Sequence, residues 1–211
     1  MTDTLAPGAT IGILGGGQLG RMLSVAASRL GFKTHVFEPA ANPPAAHVAD
    51  RVTTAGYDDL AALAAFAASV DVITYEFENI PTAALDVLEK THPIRPNRRA
   101  LAISQDRIAE KDFLTGLGLT TAPYAAVNSM DDLHAAIARI GTPAILKTTR
   151  LGYDGKGQAR LRSPDDATAA LAAMNGAAAV LEGFIDFSHE VSVIAARGLD
   201  GSVACFDPGE N

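Results

Sequence analysis

The sequence predicts an α/β chain of two units, the first built on a parallel sheet. Three observations predict it. Apolar spacings of strand and helix type alternate from Thr10 to Glu89. A glycine cluster, Gly15-Gly-Gly-Gln-Leu-Gly20, falls between the first strand and the first helix. The alternation then breaks at Thr91-His-Pro-Ile-Arg-Pro-Asn97, where two prolines in a short span mark a boundary.

The elements follow in order. Thr10 to Leu14 is a short apolar run, hence a strand. Gln18 to Leu30 carries Leu19, Met22, Leu23, Ala26, Ala27 and Leu30 at helical spacing, and Gly31 is a suitable stop. Lys33 to Phe37 is the second strand. Asp58 to Ser69 is a helix with Leu60, Leu63, Ala64 and Ala67 on one face, and Asp71 to Tyr75 is the third strand. Pro81 to Glu89 is a helix with proline in its first turn. This pattern defines a Rossmann-like unit over residues 1–97, with ligand sites expected at the C-terminal ends of its strands. Arg98 to Leu117 reads as one helix inside a linker, 98–122. The second unit, 123–211, opens with a strand (Tyr124 to Val127) and a helix capped by Ser129 and running through Ile140. A strand (Ala144 to Thr148), a glycine-rich loop and a strand (Ala159 to Leu161) come next. Ser163 caps a further helix that has Pro164 at its first position. Ala179 to Glu182 and Glu190 to Arg197 are strand-like, and Asp200-Gly201 is a hairpin turn leading into Ser202 to Phe206.

Composition narrows the function classes. Apolar residues make up 48% and charged residues 19%, enough to bury a core. Net charge is −7 and no Lys/Arg run occurs, which argues against a nucleic-acid footprint or a polybasic membrane patch. The single cysteine, Cys205, permits no internal disulfide and reads as a small apolar strand residue. Met1 to Pro7 lacks the pattern of a secretory signal, and no apolar run is long enough to span a bilayer. A cytoplasmic protein is the expectation.

Two segments carry chemistry. The run Gly15 to Gly20 fits G-x-G-x-x-G, where glycines permit a tight turn and amides at a helix N-terminus hold a phosphate. Glu38 closes the second strand 18 residues after Gly20, near the spacing of roughly 20 expected of a ribose-binding acid in a nicotinamide dinucleotide site. An NAD-dependent oxidoreductase and a phosphate-ester site both remain open on this motif, as does plain packing of the strand–turn–helix unit. Arg21 adds a cation at the helix start and favours a terminal phosphate. Further on, Lys147 stands on an apolar strand, followed by Gly152-Tyr153-Asp154-Gly155-Lys156-Gly157-Gln158. Three glycines with a lysine among them can lay amides and a cation along phosphates; a solvated hairpin tip is the plainer alternative. Glu182-Gly183-Phe184-Ile185 ends a strand and could line an adenine. Glu190 opens another, where a carboxylate could accept ribose hydroxyls. In this order the residues outline a nucleotide from base to phosphate, which an oxidoreductase leaves unexplained.

The order of strand lysine, glycine-rich loop, acid-x-apolar hinge and later glutamate resembles the ATP-grasp superfamily. Within it the chain resembles the 5-(carboxyamino)imidazole ribonucleotide synthetase family. The resemblance covers residues 9 to 211. It rests on Gly15-Gly-Gly-Gln-Leu-Gly-Arg-Met22, Thr74-Tyr-Glu-Phe-Glu-Asn-Ile80, Gln105-Asp-Arg107, Gly152 to Gln158 and Phe187-Ser-His-Glu190-Val-Ser. It implies a pre-ATP-grasp domain followed by a partial ATP-grasp domain. It also implies ATP-dependent carboxylation of 5-aminoimidazole ribonucleotide with bicarbonate, in purine biosynthesis, with Mg2+ as the ion and a homodimer as the assembly. By the same resemblance Arg107 and Lys147 contact ATP phosphates and Gly152 to Gln158 cover them. Glu182, Gly183, Phe184 and Ile185 line the adenine, and Glu190 binds the ATP ribose. Gly17, Gln18, Leu19 and Arg21 hold the substrate phosphate, and Glu76 its ribose. The family places its metal-binding carboxylate and asparagine in a later stretch, so no metal ligand is assigned within this chain. Where the sequence stops, at Pro208-Gly-Glu-Asn211, a loop leading onward is expected, with an unpaired sheet edge and apolar surface left exposed.

Overall fold

A computed structural model describes residues 4–152 and 156–211. The first unit runs β1 (Thr10–Leu14), α1 (Gln18–Arg29), β2 (Lys33–Phe37), a 3-10 turn (Pro44–His47), β3 (Arg51–Thr53), α2 (Leu60–Ala67), β4 (Val72–Tyr75) and α3 (Thr82–Leu88). The sheet is wholly parallel with strand order β3-β2-β1-β4. The chain works outward from β1 to β3 and then crosses back to place β4 on the other side of β1. The switch point therefore lies at the C-terminal ends of β1 and β4, the crevice where open α/β sheets take their ligands. Ile13, Leu14, Val36 and Phe37 are buried on these strands, and Leu63, Phe66, Ile73, Leu85 and Leu88 fill the core beside them. β3 has no counterpart in the sequence reading, because three residues are too few to show a period.

One buried group makes this unit sensitive to pH. His35, in β2, bonds Ser69 Oγ at 2.7 Å and Thr53 Oγ1 at 2.9 Å, with its ring edge-on to Phe66. Burial, and then the nearby Arg51 charge, push its pKa below the ordinary 6.5. Near that pH the unfolded chain takes the proton more readily than the folded one. Stability is therefore full above pH 6.5 and falls as pH drops below it. Unfolding temperatures measured from pH 7.5 to 5.5 are expected to decline, and His35→Gln is expected to flatten that decline.

The junction corrects the sequence reading. Instead of one helix from Arg98 to Leu117 there are two, α4 (Arg98–Ser104) and α5 (Arg107–Gly116). Asn97 caps α4 through Ala100 N at 3.0 Å. Asp106 has extended backbone, φ −128° and ψ 119°, and its carboxylate accepts from Ile108 N and Ala109 N. An aspartate capping the second helix competes with continuation of the first.

The second unit has β5 (Tyr124–Val127), α6 (Met130–Ile140), β6 (Ala144–Thr148), β7 (Gln158–Leu161), α7 (Ala167–Ala173) and β8 (Ala179–Gly183). Its sheet is antiparallel in the order β5-β8-β6-β7. Ser129 caps α6 through Asp132 N. Pro164 opens a 3-10 turn, closed by a Ser163/Asp166 capping box, that runs into α7. Val127, Leu133, Ile137, Leu146, Leu161 and Leu181 form the core. The strand expected from Glu190 to Arg197 is two strands, β9 (Val191–Ser192) and β10 (Ala195–Arg197). Each pairs elsewhere: β10 forms a hairpin with β11 (Val203–Cys205) through Gly201 at φ +87°, and β9 pairs with β12 (Gly209–Glu210). Two partners in different places divide the segment. Ile194, Val203 and Phe206 are exposed here, and so is Cys205. No helix among the described residues is long and apolar enough to cross a membrane.

Candidate functional site

At the switch point the glycine turn is occupied by the chain's own carboxylates. Glu38, at the end of β2, accepts from Gly16 N at 2.8 Å and from Ala40 N at 2.9 Å. Glu76, at the end of β4, accepts from Gly17 N at 2.6 Å and also from Gly20 N. This explains the glycines. A Cβ at Gly15 would lie 2.5 Å from Glu76 Cγ, and one at Gly17 would lie 2.9 Å from Glu76 Oε1. At Gly20 it would meet the Gly15 carbonyl at 2.7 Å, and at Gly16 the Glu38 Cβ at 2.9 Å. Gly15 is further fixed by φ +101°. The G-x-G-x-x-G spacing thus makes room for two acids from strand ends remote in sequence. Glu38, the acid a dinucleotide reading assigns to a ribose, is turned onto Gly16 N and Ala40 N, and the amides of Gly16, Gly17 and Gly20 are bonded to the two acids. The first-turn amides of Gln18 and Leu19 have no acceptor among the described residues. Both residues are exposed, and Arg21 is half-buried beside them.

Tyr57 joins this end of the sheet and was not singled out by the sequence. It sits on the loop after β3, its ring 5.7 Å from that of Phe37, and its hydroxyl is buried with no hydrogen-bond partner among the described residues. Burial, then the charges of Glu38 and Glu76, hold the hydroxyl protonated far above its usual range. A buried hydroxyl without a partner costs about 1–3 kcal/mol. Tyr57→Phe is therefore expected to leave stability unchanged or raise it by about 1 kcal/mol, as read by urea unfolding.

The second group of polar residues gathers around β6. Lys147 lies opposite Gln158 on one side and Val180 on the other. Its Nζ is 2.8 Å from Glu182 Oε2, and Lys111 Nζ, from α5, is 3.3 Å from the other oxygen. Side-chain exposures of 22%, 14% and 10% for Lys147, Lys111 and Glu182 place the triad in a sheltered position. Burial alone would raise the Glu182 pKa. The hydrogen bond and charge of Lys147, with those of Lys111, outweigh it and leave the carboxyl below its ordinary value. Sequence reasoning missed Lys111, although it follows Arg107 by four residues on one helix, a spacing that shares a face.

Arg107 ties α5 to the glycine loop. Its Nη2 donates to Gly152 O at 2.8 Å and its amide to Thr149 O at 2.9 Å. The loop joins β6 to β7 as a hairpin, as its flanking strands predict. Gly157, at φ +66°, accepts from Thr148 N, and a Cβ there would lie 2.7 Å from Thr148 Oγ1. Gln158 opens the return strand and Lys156 lies in the turn before it; Tyr153, Asp154 and Gly155 lie outside the described residues. Gly183 N and Phe184 N donate to the carbonyls of Pro123 and Pro143, so these hinge amides are already taken. Arg160 lies 4.5 Å from the centroid of the Phe184 ring and covers one face of it, and Ile185 is exposed. Glu190 stands apart. Its contacts are with Asn211, through its backbone carbonyl at 2.9 Å and its carboxylate at 3.4 Å. The structure thus joins Lys147 and Glu182 to Lys111, and Arg107 to Gly152, with α5 carrying both Arg107 and Lys111, and leaves Glu190 apart from both groups. Among the described residues no group of three or more His, Cys, Asp or Glu could hold a metal ion.

A parallel domain with a polar switch point, followed by an antiparallel sheet with a strand lysine beneath a glycine hairpin, defines a pre-ATP-grasp domain leading into an ATP-grasp domain. Residues 8–105 match the ribonucleotide synthetase preATP-grasp domain and residues 112–211 the ATP-grasp domain. An N5-carboxyaminoimidazole ribonucleotide synthase of Brucella melitensis biotype 1 is 56% identical over 210 residues, 99% of this chain and 58% of that protein. A crystal structure of an ADP complex of N5-carboxyaminoimidazole ribonucleotide synthetase is 44% identical, with a TM-score of 0.95 over 100% of this chain and 56% of that one. The Aspergillus clavatus enzyme in complex with ADP and 5-aminoimidazole ribonucleotide is 28% identical, with a TM-score of 0.86 over 97% and 54% of the two chains. The chain belongs to the N5-carboxyaminoimidazole ribonucleotide synthase family. It spans a little over half the length of these relatives.

Proposed function

We propose that this chain carries the substrate-binding and much of the nucleotide-binding machinery of an ATP-dependent carboxylase. In the proposed reaction ATP transfers its γ-phosphoryl group to bicarbonate, giving carboxyphosphate and ADP. The exocyclic amine of 5-aminoimidazole ribonucleotide then takes the carboxyl carbon, directly or as released CO2, and phosphate leaves. The observation that carries this reading is the triad of Lys147 and Lys111 on the Glu182 carboxylate, with Arg107, four residues before Lys111 on α5, bonded to the β6–β7 hairpin at Gly152. Two sheltered ammonium groups on one carboxylate, with a guanidinium at the base of the hairpin, suit a polyphosphate, and catalysis of this kind is mostly positioning and charge neutralisation.

In this reading Arg107 and Lys147 meet the ATP phosphates and 152–158 cover them, Tyr153, Asp154 and Gly155 included. The 182–185 segment lines the adenine and Glu190 takes the ATP ribose. At the other site Gly17, Gln18 and Leu19 offer the start of α1 to the substrate phosphate with Arg21 beside it, and Glu76 faces the substrate ribose. The open amides of Gln18 and Leu19 support the phosphate assignment. Glu76 is aimed by the amides of Gly17 and Gly20, which leaves it lone pairs for ribose hydroxyls. The domain division 1–97, 98–122 and 123–211, a homodimer and a cytoplasmic setting belong to the same proposal. Mg2+ would accompany ATP; the described residues supply no ligand set for it, and no step here is assigned through it.

The test is two titrations. Lys147→Ala is expected to weaken ATP about tenfold or more, the scale of one lost charge-assisted contact, and to leave 5-aminoimidazole ribonucleotide unchanged. Gln18→Ala combined with Arg21→Ala is expected to do the reverse. Equal losses for both ligands in either variant would overturn the two-site assignment. Phosphate release that depends on bicarbonate and the imidazole nucleotide tests the reaction itself.

A further inference from the structure

Gln105 has no role in the sites described so far, although it opens the motif that supplies Arg107. It sits at the break between α4 and α5 and is only 5% exposed. Its Nε2 donates to the carbonyls of Glu78 at 2.6 Å and Ile80 at 2.5 Å, in the loop that follows Glu76. Its Oε1 accepts from Arg150 Nη2 at 2.6 Å, two residues before Gly152. Both amide protons face carbonyls and the oxygen faces a guanidinium. The amide therefore has one orientation, since reversal would set oxygen against two carbonyl oxygens. The two neighbouring bonds from Arg107 to Thr149 and Gly152 fasten the same break to the same hairpin. A cleft of about 250 Å³ opens here, lined by Glu78, Gln105, Arg107, Arg150 and Gly152 among others. One buried side chain thus joins the loop behind the substrate-side acid to the base of the nucleotide-side hairpin.

We propose that Gln105 is a positioning residue that couples the two ligand sites, through Arg150 on one side and the Glu78–Ile80 carbonyls on the other. The inference rests on the two-site function proposed above. When a nucleotide seats the β6–β7 hairpin, Arg150 holds the amide, and the amide holds the 78–80 loop so that Glu76 stays in place for the imidazole nucleotide. Linkage makes the effect mutual: each ligand tightens the other by the same factor.

The experiment uses the full chain and calorimetric titration. 5-Aminoimidazole ribonucleotide is titrated with and without a saturating non-hydrolysable ATP analogue. The unaltered chain is expected to bind it about tenfold tighter with the analogue present, within the usual range of coupling between sites. Arg150 is exposed, so Arg150→Met tests the connection without disturbing the core. It is expected to bring the factor below about twofold while each ligand alone keeps its affinity. Gln105→Met supplies the same reading from the buried side. Retention of the tenfold factor in Arg150→Met overturns the inference, as does binding of both ligands to the unaltered chain with no coupling. Failure of the unaltered chain to bind either ligand would instead overturn the two-site function, and this inference with it.

Discussion

Gly20→Val is expected to lower stability by about 3 kcal/mol, the upper range for forcing atoms into a packed site, and to abolish binding of 5-aminoimidazole ribonucleotide. The new Cβ would lie 2.7 Å from the Gly15 carbonyl and 3.0 Å from Glu76 Oε2. Neither neighbour can yield cheaply. Gly15 is pinned by its own amide bond to Phe37 O at 2.9 Å, and Glu76 is held by the amides of Gly17 and Gly20 themselves. Urea unfolding reads the stability. Titration with an ATP analogue serves as a control, because the proposed nucleotide site lies outside the first unit. Gly116→Ala is the contrast: it lies at the end of α5 with nothing within 4 Å of the added carbon. It should be neutral or stabilising by about 0.5 kcal/mol.

Glu182→Ala should have the second large effect, a loss of about 3 kcal/mol together with weaker ATP binding. It removes the one carboxylate between Lys147 and Lys111 and leaves two sheltered ammonium groups facing each other. Breaking a buried pair from one side costs about 3–5 kcal/mol, and the partial exposure of Lys147 puts this case at the low end. Lys111→Met should cost less, because the Lys147–Glu182 contact at 2.8 Å survives. The acid limb of the stability curve provides an independent reading. The folded Glu182 carboxyl lies below its ordinary 4.5. Its contribution is therefore complete above pH 4.5 and is lost as pH falls through the folded value. The unaltered chain should lose stability more steeply than Glu182→Ala in that range. Equal acid limbs would show that the triad adds nothing to folding.

Much of the architecture was legible because it is written locally. Apolar runs located β1, β2, β4, β6 and β8, the helix cap at Ser129 is present, and Asp200-Gly201 marks a real hairpin turn. The family resemblance rested on short segments that the structure places at the ends of β1 and β4, at the break between α4 and α5, between β6 and β7, and at the approach to β9. The errors have different causes. The break between α4 and α5 is set locally, by Asp106 capping Ile108 N and Ala109 N against the helical spacing of the residues around it. The split of β9 from β10 follows from partners elsewhere in the chain, which no window of neighbouring residues reveals. β3 is held by its register with β2, not by any pattern of its own.

The sequence by itself determined where the strands and helices stand, where glycine is required, and which lysines and acids are available for phosphate chemistry. Only the tertiary structure decided which groups meet. Glu76 reaches the glycine turn across 59 positions, Glu182 reaches Lys147 across 35, and Arg150 reaches Gln105 across 45. Helical period, strand alternation and capping act between near neighbours, so they appear in the sequence. A hydrogen bond between distant residues depends on the path of the whole chain, and that path is fixed by burying both cores at once.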